Sequence, residues 1–216
     1  MGKEKLPKGM ISIAWILVLG AILPMLDSTI INIAVNDLAK AFSTTFAVTQ
    51  WVVTGYVLAL GMAVPLSGWL MQKYDGKKVY MVALGLFLIS SLLCGLAWDM
   101  QSLIAFRMLQ GLASGIIIPA LTTLVVQAAG SENLGRVMSV VGIPVVFGPI
   151  AGPVIGGFIL PHLSWHWLFF VNLPIGGIAL LIAQWKLPKF EAMNKSAKLD
   201  WIGILLLAML SGMVVF

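Results

Sequence analysis

Two charged residues stand alone inside long apolar stretches of this sequence. Asp27 interrupts residues 10–35, and Arg107 interrupts residues 101–130. Apolar surroundings favour the protonated form of a carboxyl group, whereas a nearby guanidinium favours the ionised form. A site that holds both groups can therefore trade a proton or a cationic ligand when the balance between these influences shifts. The alternative is a static ion pair that fixes the packing of two helices.

Few other residues offer catalytic or metal-binding chemistry. The chain has one cysteine, Cys94, within an apolar stretch, and two histidines, His162 and His166. A buried free cysteine is typically a small hydrophobe, and two histidines without further ligands do not make a zinc site. The sequence has no nucleophile with a matching base and no glycine-rich phosphate loop. We therefore expect no enzyme activity, no metal and no cofactor.

The composition indicates that these residues lie within a membrane. Hydrophobic residues make up 60% of the 216 residues and charged residues 10%, and the mean hydropathy is +1.03. A soluble domain carries about 25% charged residues, so this chain falls outside the soluble range. The net charge of +5 comes from clusters between apolar stretches. Because no basic stripe with interleaved aromatic residues occurs, we expect no nucleic-acid partner.

The apolar stretches predict the number of membrane crossings. About 20 helical residues span a hydrocarbon core of about 30 Å. Four stretches have a suitable length, and residues 137–184 can cross twice if they fold back at residues 161–167. A last apolar stretch, residues 201–216, is still running when the sequence stops. The sequence therefore predicts an all-α membrane protein with six spans and the start of a seventh. The first four spans are residues 10–35, 51–71, 79–98 and 101–130.

The basic residues predict the orientation of the chain. Of the 13 Lys and Arg residues, Arg107 lies within a span. With the N-terminus in the cytoplasm, Lys40 falls outside, which leaves eleven on the cytoplasmic side, as is typical of cytoplasmic loops. We expect a cytoplasmic N-terminus at 1–9, a six-span unit at 10–186, a cytoplasmic loop at 187–199 and an incomplete seventh span at 200–216.

Helical periodicity groups further polar residues near the two charges. Three residues share the helical face of Arg107: Gln110, Gly111 and Ser114. This face is predicted to line a cavity. In the first span, Asn32 lies on a different face of an ideal helix from Asp27, although Pro24 can bend the helix and change the angle between the two residues. Either the Asp27 face or the Asn32 face lines the cavity, and the sequence leaves both open.

The fifth span has the most distinctive sequence. Glycines recur every four residues, and prolines follow the first two: Gly148, Pro149, Gly152, Pro153, Gly156 and Gly157. Glycines at this spacing let another helix approach closely, and prolines bend a helix. The pattern fits a tightly packed helix crossing and a bent hinge between moving halves equally well.

These motifs resemble those of the major facilitator superfamily, and specifically its 14-span drug:proton antiporter family, the EmrB/QacA group. The family's first-span signature corresponds to residues 26–34, and its pattern Arg-x-x-Gln-Gly corresponds to residues 107–111. Its antiporter signature Gly-Pro-x-x-Gly-Gly corresponds to residues 152–157. Residues 165–176 resemble the entry into the sixth span, and residues 199–203 the start of the seventh. The resemblance covers the whole chain in the expected order.

The loop after the second span departs from the superfamily pattern. Gln72 stands where the superfamily usually has an acid that helps to close an inner gate, and Asp75 lies one turn further on as a candidate substitute. Gly68, Lys77 and Lys78 are the other residues assigned to this cytoplasmic gate loop. Its lysines also fit a purely topological role.

The resemblance implies a fold and a function. The fold would be the six-helix N-terminal half of a major facilitator transporter, whose two halves alternate access to a central site. The function would be export of lipophilic, often cationic drugs in exchange for protons across the inner or plasma membrane. Asp27 would be the coupling carboxylate, and Arg107 its electrostatic partner.

The resemblance also sets the expected partners and alternatives. The partners would be the lipid bilayer, drugs and protons, and some family members use a periplasmic adaptor protein. The second six-helix half is missing, so we expect a lone half to be inactive unless it pairs with another chain. The alternatives are a metabolite facilitator or importer of the same fold, and a six-span membrane fragment without transport of its own.

Overall fold

The computed structural model describes residues 8–192 together with residues 194, 197, 199 and 203. At residues 8, 10, 130–134, 136–138, 140, 141 and 143–145 it describes the backbone alone. Every regular element within residues 8–192 is a helix, which confirms the predicted all-α class. The helices are α1 (Lys8–Ala41), α2 (Phe46–Thr49), α3 (Trp51–Lys73), α4 (Gly76–Gly95), α5 (Met100–His162), α6 (Trp167–Phe170) and α7 (Asn172–Lys186).

The membrane-length helices of the described residues match most of the predicted spans. A shorter apolar helix, Val146–His162, takes the place of the predicted fifth span. The predicted seventh span, residues 201–216, lies outside the described residues apart from Gly203. Among the described residues, five helical stretches are long and apolar enough to cross a membrane: Ile11–Ala41, Phe46–Lys73, Gly76–Gly95, Met100–Ala129 and Trp167–Lys186.

Helix α5 runs through two predicted spans. The charged residues between positions 130 and 137 predicted a boundary between these spans, and the residues at this boundary keep a helical backbone within α5. The predicted fold-back at residues 161–167 does coincide with the end of α5 and the start of α6.

The two parts of α5 nevertheless run in opposite directions along α1. The first part, Met100–Ala129, is antiparallel to α1, and the second part, Val146–His162, is parallel to it. In the first part, Arg107 contacts Asp27, and Ser114 is connected to Pro24 through Tyr56. In the second part, Gly148 contacts Met25, and Gly156 contacts Ile30. The chain therefore reverses its direction between Ala129 and Val146.

Acidic side chains begin two of the helices by accepting backbone hydrogen bonds. Asp75 Oδ1 accepts from Lys77 N at 2.9 Å at the start of α4. Asp99 Oδ1 accepts from Ser102 N at 2.6 Å, and Ser102 Oγ accepts from Asp99 N at 3.2 Å, which makes a reciprocal cap at the start of α5. The bond from the Ser102 backbone lowers the pKa of the Asp99 carboxyl, because it favours the charged form.

Two hydrophobic clusters fill the bundle at successive heights along the helices. One cluster includes Leu17, Tyr80, Phe87, Ile117 and Leu124, and the other includes Ile30, Leu38, Leu103, Leu168 and Phe169. On α1, α4, α5 and α7, the change from one cluster to the other falls near a buried polar residue. These residues, which we call the polar layer, are Asp27 on α1, Ser91 on α4, Arg107 and Gln110 on α5 and Asn172 on α7.

Candidate functional site

An ion pair between Asp27 and Arg107 lies at the centre of the polar layer. Both side chains are buried, with 0% and 1% of their surface exposed. Arg107 Nη1 donates to Asp27 Oδ2 and also to Gln110 Oε1, the latter at 2.7 Å. The sequence placed the two charges at similar depth, and the structure brings them into direct contact. Because removing one partner of such a pair leaves a buried charge, their mutual contact is essential to this arrangement.

The second oxygen of Asp27 receives two amide hydrogen bonds. Gln110 Nε2 donates to Asp27 Oδ1 at 3.1 Å, and Asn172 Nδ2 donates to the same oxygen at 2.9 Å. Asn172 Nδ2 also donates to Ser91 Oγ at 3.0 Å, and Ser91 Oγ donates to the backbone oxygen of Phe169 at 3.0 Å. The polar layer thus connects α1, α4, α5 and α7 through one carboxylate.

Arg107 is held from the other side by α3. Its Nε donates to the backbone oxygen of Val52 at 3.2 Å, and its guanidinium lies 4.1 Å from the ring centroid of Tyr56. Tyr56 Oη donates to Ser114 Oγ at 2.9 Å, and Ser114 Oγ donates to the backbone oxygen of Gln110 at 2.8 Å. The described side chains contain no buried polar atom without a hydrogen-bond partner. The cost of burying these charges is therefore offset by a complete set of partners.

Two members of the polar layer had no predicted role. Asn172 was identified only as one of residues 165–176, which resemble the family's entry into the sixth span, and Ser91 was not identified at all. Asn172 is the only amide among residues 168–183, so an isolated polar residue in an apolar span was the available signal. Nothing in the sequence signals which helix Asn172 faces, because its partner Asp27 lies 145 residues away in the chain.

The residues predicted to line a cavity lie in two different environments. Gln110, Gly111 and Ser114 are buried within the bundle, whereas Asn32 is exposed on α1. A methyl group added to Gly111 would overlap the backbone oxygen of Tyr56, so glycine at this position lets α5 and α3 approach closely. The structure thus buries the Asp27 face and exposes the Asn32 face. A cavity-lining role for these residues stays a prediction.

The glycine and proline segment of α5 has a packed side and an exposed side. Three glycines face α1: Gly148 lies against Met25, Gly152 against Thr29 and Gly156 against Ile30. A methyl group on Gly152 would overlap Thr29 Oγ1, so the close approach depends on the absence of a side chain. Other residues of the segment are exposed: Pro149, Pro153, Gly157, Val146, Phe147, Ile150, Val154 and Phe158. The structure therefore has the predicted helix crossing and leaves an apolar surface beside it.

The segment that joins α3 to α4 contacts the end of α7; we call residues 74–78, which include the first residues of α4, the α3–α4 loop. Lys77 Nζ donates to the backbone oxygens of Gln184 at 2.8 Å and Leu187 at 2.6 Å. An ammonium group at a helix C-terminus interacts favourably with the carbonyl end of the helix dipole. The backbone N–H of Phe190 donates to Asp75 Oδ1 at 3.4 Å. Of the other residues assigned to the gate loop, Gly68 and Lys78 are exposed.

Comparisons with known proteins agree with this architecture. The profile of the Major Facilitator Superfamily matches residues 17–216. The chain is 36% identical over 205 residues to the "Multidrug resistance protein B homolog" of Mycobacterium tuberculosis, covering 95% of this chain and 38% of that relative. It is 33% identical over 192 residues to the "Multidrug export protein EmrB" of Haemophilus influenzae, covering 88% of this chain and 38% of that relative.

Solved structures share the fold. The inward-open xylose transporter XylE from E. coli superposes with a TM-score of 0.76 at 17% sequence identity, covering 95% of this chain and 54% of that one. A peptide transporter, POT, superposes with a TM-score of 0.76 at 12% identity. The chain thus spans about two fifths of the length of the curated relatives above and about half of these structures. The family match, the relatives and the fold together confirm the resemblance: the chain belongs to the major facilitator superfamily of membrane transporters and is not an enzyme.

Proposed function

We propose that this chain is the N-terminal half of a proton-coupled multidrug exporter in the cell membrane. The observation that carries the proposal is the polar layer, in which a single buried carboxylate, Asp27, connects four helices. The names of the curated relatives support drugs as the substrates. Lipophilic and cationic drugs are the substrate class, and protons moving inward provide the driving force.

Protonation of Asp27 is the proposed coupling step. With Asp27 ionised, its two oxygens accept hydrogen bonds from Arg107, Gln110 and Asn172. A proton on the carboxyl group removes the charge that Arg107 faces and weakens these contacts. A proton crossing a potential of 100 mV supplies about 2.3 kcal/mol, and breaking a buried ion pair costs about 3–5 kcal/mol. The two energies are of the same order, so the proton gradient can bias the packing of α1, α5 and α7.

A second six-helix half completes the proposed transporter. The exposed apolar side of α5, together with exposed Asn32 on α1, is the surface that we assign to the interface with that half. The drug cavity then lies between the halves, as in transporters built from two bundles around a midplane site. The coverage of only 38% of the relatives' length supports this assignment. A lone half lacks one wall of the cavity and is inactive on this proposal.

The proposed orientation places the N-terminus and the α3–α4 loop in the cytoplasm. The supporting observation is the clustering of Lys73, Lys77 and Lys78 beside Lys186 at one end of the bundle, because basic residues are retained on the cytoplasmic side. A periplasmic adaptor protein, when one is used, would meet the opposite end of the transporter.

The test is transport by the complete transporter with Asp27→Asn. In inverted membrane vesicles, we expect the wild type to accumulate a fluorescent drug in a way that collapses with a protonophore. We expect the variant to lose this dependence on the proton gradient, because the amide cannot be ionised. Unchanged, pH-dependent drug accumulation by Asp27→Asn would refute the role of Asp27. Accumulation by the wild type that ignores the protonophore would favour a facilitator of the same fold.

A further inference from the structure

A cavity of about 700 Å³ opens between α3 and α4 at the end of the bundle that carries Lys73 and Lys78. This volume lies in the range of about 300–1,000 Å³ that is typical of ligand pockets. Its described lining comes from α3, α4, the first part of α5 and the segment after α7, without any residue of α1 or of the polar layer. The cavity is therefore separate from the candidate coupling site.

The cavity continues as an apolar groove along α4. A smaller cavity of about 150 Å³ shares Leu86 and Ile116 with the first and reaches Leu93 and Leu109. From Lys78 to Leu93, helix α4 advances about 22 Å, compared with about 15 Å for the hydrocarbon of one leaflet. The groove is thus long enough for an acyl chain.

The walls of the groove face away from the bundle core. Val82, Leu86 and Ile89 are 62%, 50% and 59% exposed on the surface of α4. In a chain that spans a membrane, apolar side chains at such positions contact lipid. The occupant of the groove therefore enters from the bilayer.

The open end of the groove carries positive charge that is not paired. Lys73 Nζ lies 4.8 Å from the ring centroid of Trp69, which holds the ammonium group at the rim. Lys78 is exposed. Among the side chains that the structure describes, the one ion pair involving Lys or Arg joins Asp27 and Arg107. Both lysines of the rim thus remain available to an anion.

The surrounding charges favour an anionic partner. Asp75 Oδ1 already accepts hydrogen bonds from the backbone N–H groups of Lys77 and Phe190, and Glu191 is the other acid of the lining. Within the described residues 72–78 and 184–192, five lysines against these two acids give a net charge of +3: Lys73, Lys77, Lys78, Lys186 and Lys189. Basic pockets between membrane helices select anionic lipid headgroups, and the same charge disfavours cationic drugs.

We propose that this groove binds one anionic phospholipid, with its phosphate between Lys73 and Lys78 and an acyl chain along Val82, Leu86 and Ile116. The assignment of the lipid to the cytoplasmic leaflet rests on the orientation given under the proposed function, whereas the binding itself does not. The lipid fills the groove between α3 and α4 and contacts the α3–α4 loop, which is hydrogen-bonded to the end of α7.

Native mass spectrometry of the full chain in detergent micelles tests this proposal. The probes are phosphatidylglycerol, phosphatidylcholine with the same acyl chains, and inorganic phosphate. We expect phosphatidylglycerol to remain bound more strongly than phosphatidylcholine. We expect Lys73→Gln with Lys78→Gln to weaken phosphatidylglycerol binding about 30-fold, because each lysine near an anionic lipid contributes about 1 kcal/mol. Leu86→Trp, which fills the exposed groove, should also weaken binding of phosphatidylglycerol.

The matched control is Lys186→Gln with Lys189→Gln, which removes the same charge outside the cavity lining. An equal loss in this control would show a general charge effect and overturn the proposal. Equal retention of phosphatidylcholine would overturn it, as would displacement of the lipid by inorganic phosphate alone. An unchanged affinity in Leu86→Trp would overturn the placement of the acyl chain. All variants are checked for a monodisperse elution profile, and the outcome is independent of the transport test with Asp27→Asn.

Discussion

The polar layer and the α3–α4 loop both use charged side chains to connect helices, but they do so in different surroundings. In the polar layer, Asp27 and Arg107 are buried, and each depends on the other for compensation of its charge. In the loop, the partly exposed Lys77 donates to backbone oxygens at the end of α7. Water can replace the lost partner in the loop and cannot reach it in the layer. The same type of substitution should therefore cost several times more in the layer.

The largest effect should follow Asp27→Ala. This change leaves the Arg107 guanidinium buried without its counter-charge, and we expect the free energy of unfolding to fall by about 3–5 kcal/mol. The measurement is titration of the purified protein with sodium dodecyl sulfate, followed by tryptophan fluorescence. The double change Asp27→Leu with Arg107→Met is the control, since it removes both charges and should restore most of the stability. A loss below about 1 kcal/mol for Asp27→Ala would contradict the contrast between the two regions.

A smaller effect should follow Asn172→Ala within the same layer. The change removes a donor from Asp27 Oδ1 and from Ser91 Oγ, and we expect a loss of about 1–3 kcal/mol because buried acceptors lose a partner. The same titration measures it. Gln184→Ala on the exposed side of α7 is the matched control and should change stability by less than about 0.5 kcal/mol. Equal effects of the two amides would mean that α7 is not tied to the layer through Asn172.

A still smaller loss of stability is expected for Lys77→Met. The substitution keeps the apolar stem and removes the ammonium group from the end of α7, which should cost about 0.3–1 kcal/mol. Hydrogen exchange measures the effect at the amides of Leu187 and of Gly76, which donate to Ala183 and Phe190. Faster exchange at both amides is expected, whereas Lys78→Met, at an exposed side chain, should leave them unchanged. A global loss of stability as large as that of Asp27→Ala would remove the distinction between layer and loop.

The smallest effect concerns the exposed cap at Asp99. The backbone N–H of Ser102 lowers its pKa in the folded state, so the cap is fully stabilising above the ordinary pKa of about 3.9. As the pH falls through the lowered pKa, the carboxyl group takes up a proton and the contribution is lost. We expect faster hydrogen exchange at the first turn of α5 in this acidic range, with the rest of the helix unaffected. The same acid-dependent fraying in Asp99→Asn would rule out this carboxyl group as its cause.

The importance of a residue was predictable where its type is unusual for the surrounding sequence. Asp27 and Arg107 were identified because a charge in an apolar span is costly wherever its partner lies. The contact of Gly148, Gly152 and Gly156 with another helix was also predictable, since their spacing puts them on one face. The identity of that helix, α1, was not predictable, because it depends on the order in which the helices pack.

Asn172 and the α5 backbone show where this reasoning ends. The sequence shows Asn172 only as a polar residue, because its hydrogen bond to Asp27 depends on the packing of α7 beside α1. The charged residues between positions 130 and 137 indicated the boundary between two crossings, and the chain reverses its direction there, but the charges did not show that these residues keep a helical backbone. Charge marks the boundary of a membrane crossing, and it does not by itself specify the local backbone conformation there.

The sequence alone determined the solvent of this chain, the apolar stretches in its first 186 residues, and the two charges that those stretches contain. These features follow from the free energy of transfer from water to the membrane, which is a sum over the residues of each stretch. The tertiary structure decided that Asp27 is held by Arg107, Gln110 and Asn172, that Asn32 is exposed, and that a groove opens between α3 and α4. These depend on which helices become neighbours, and close packing between segments far apart in the chain is a property of the folded bundle.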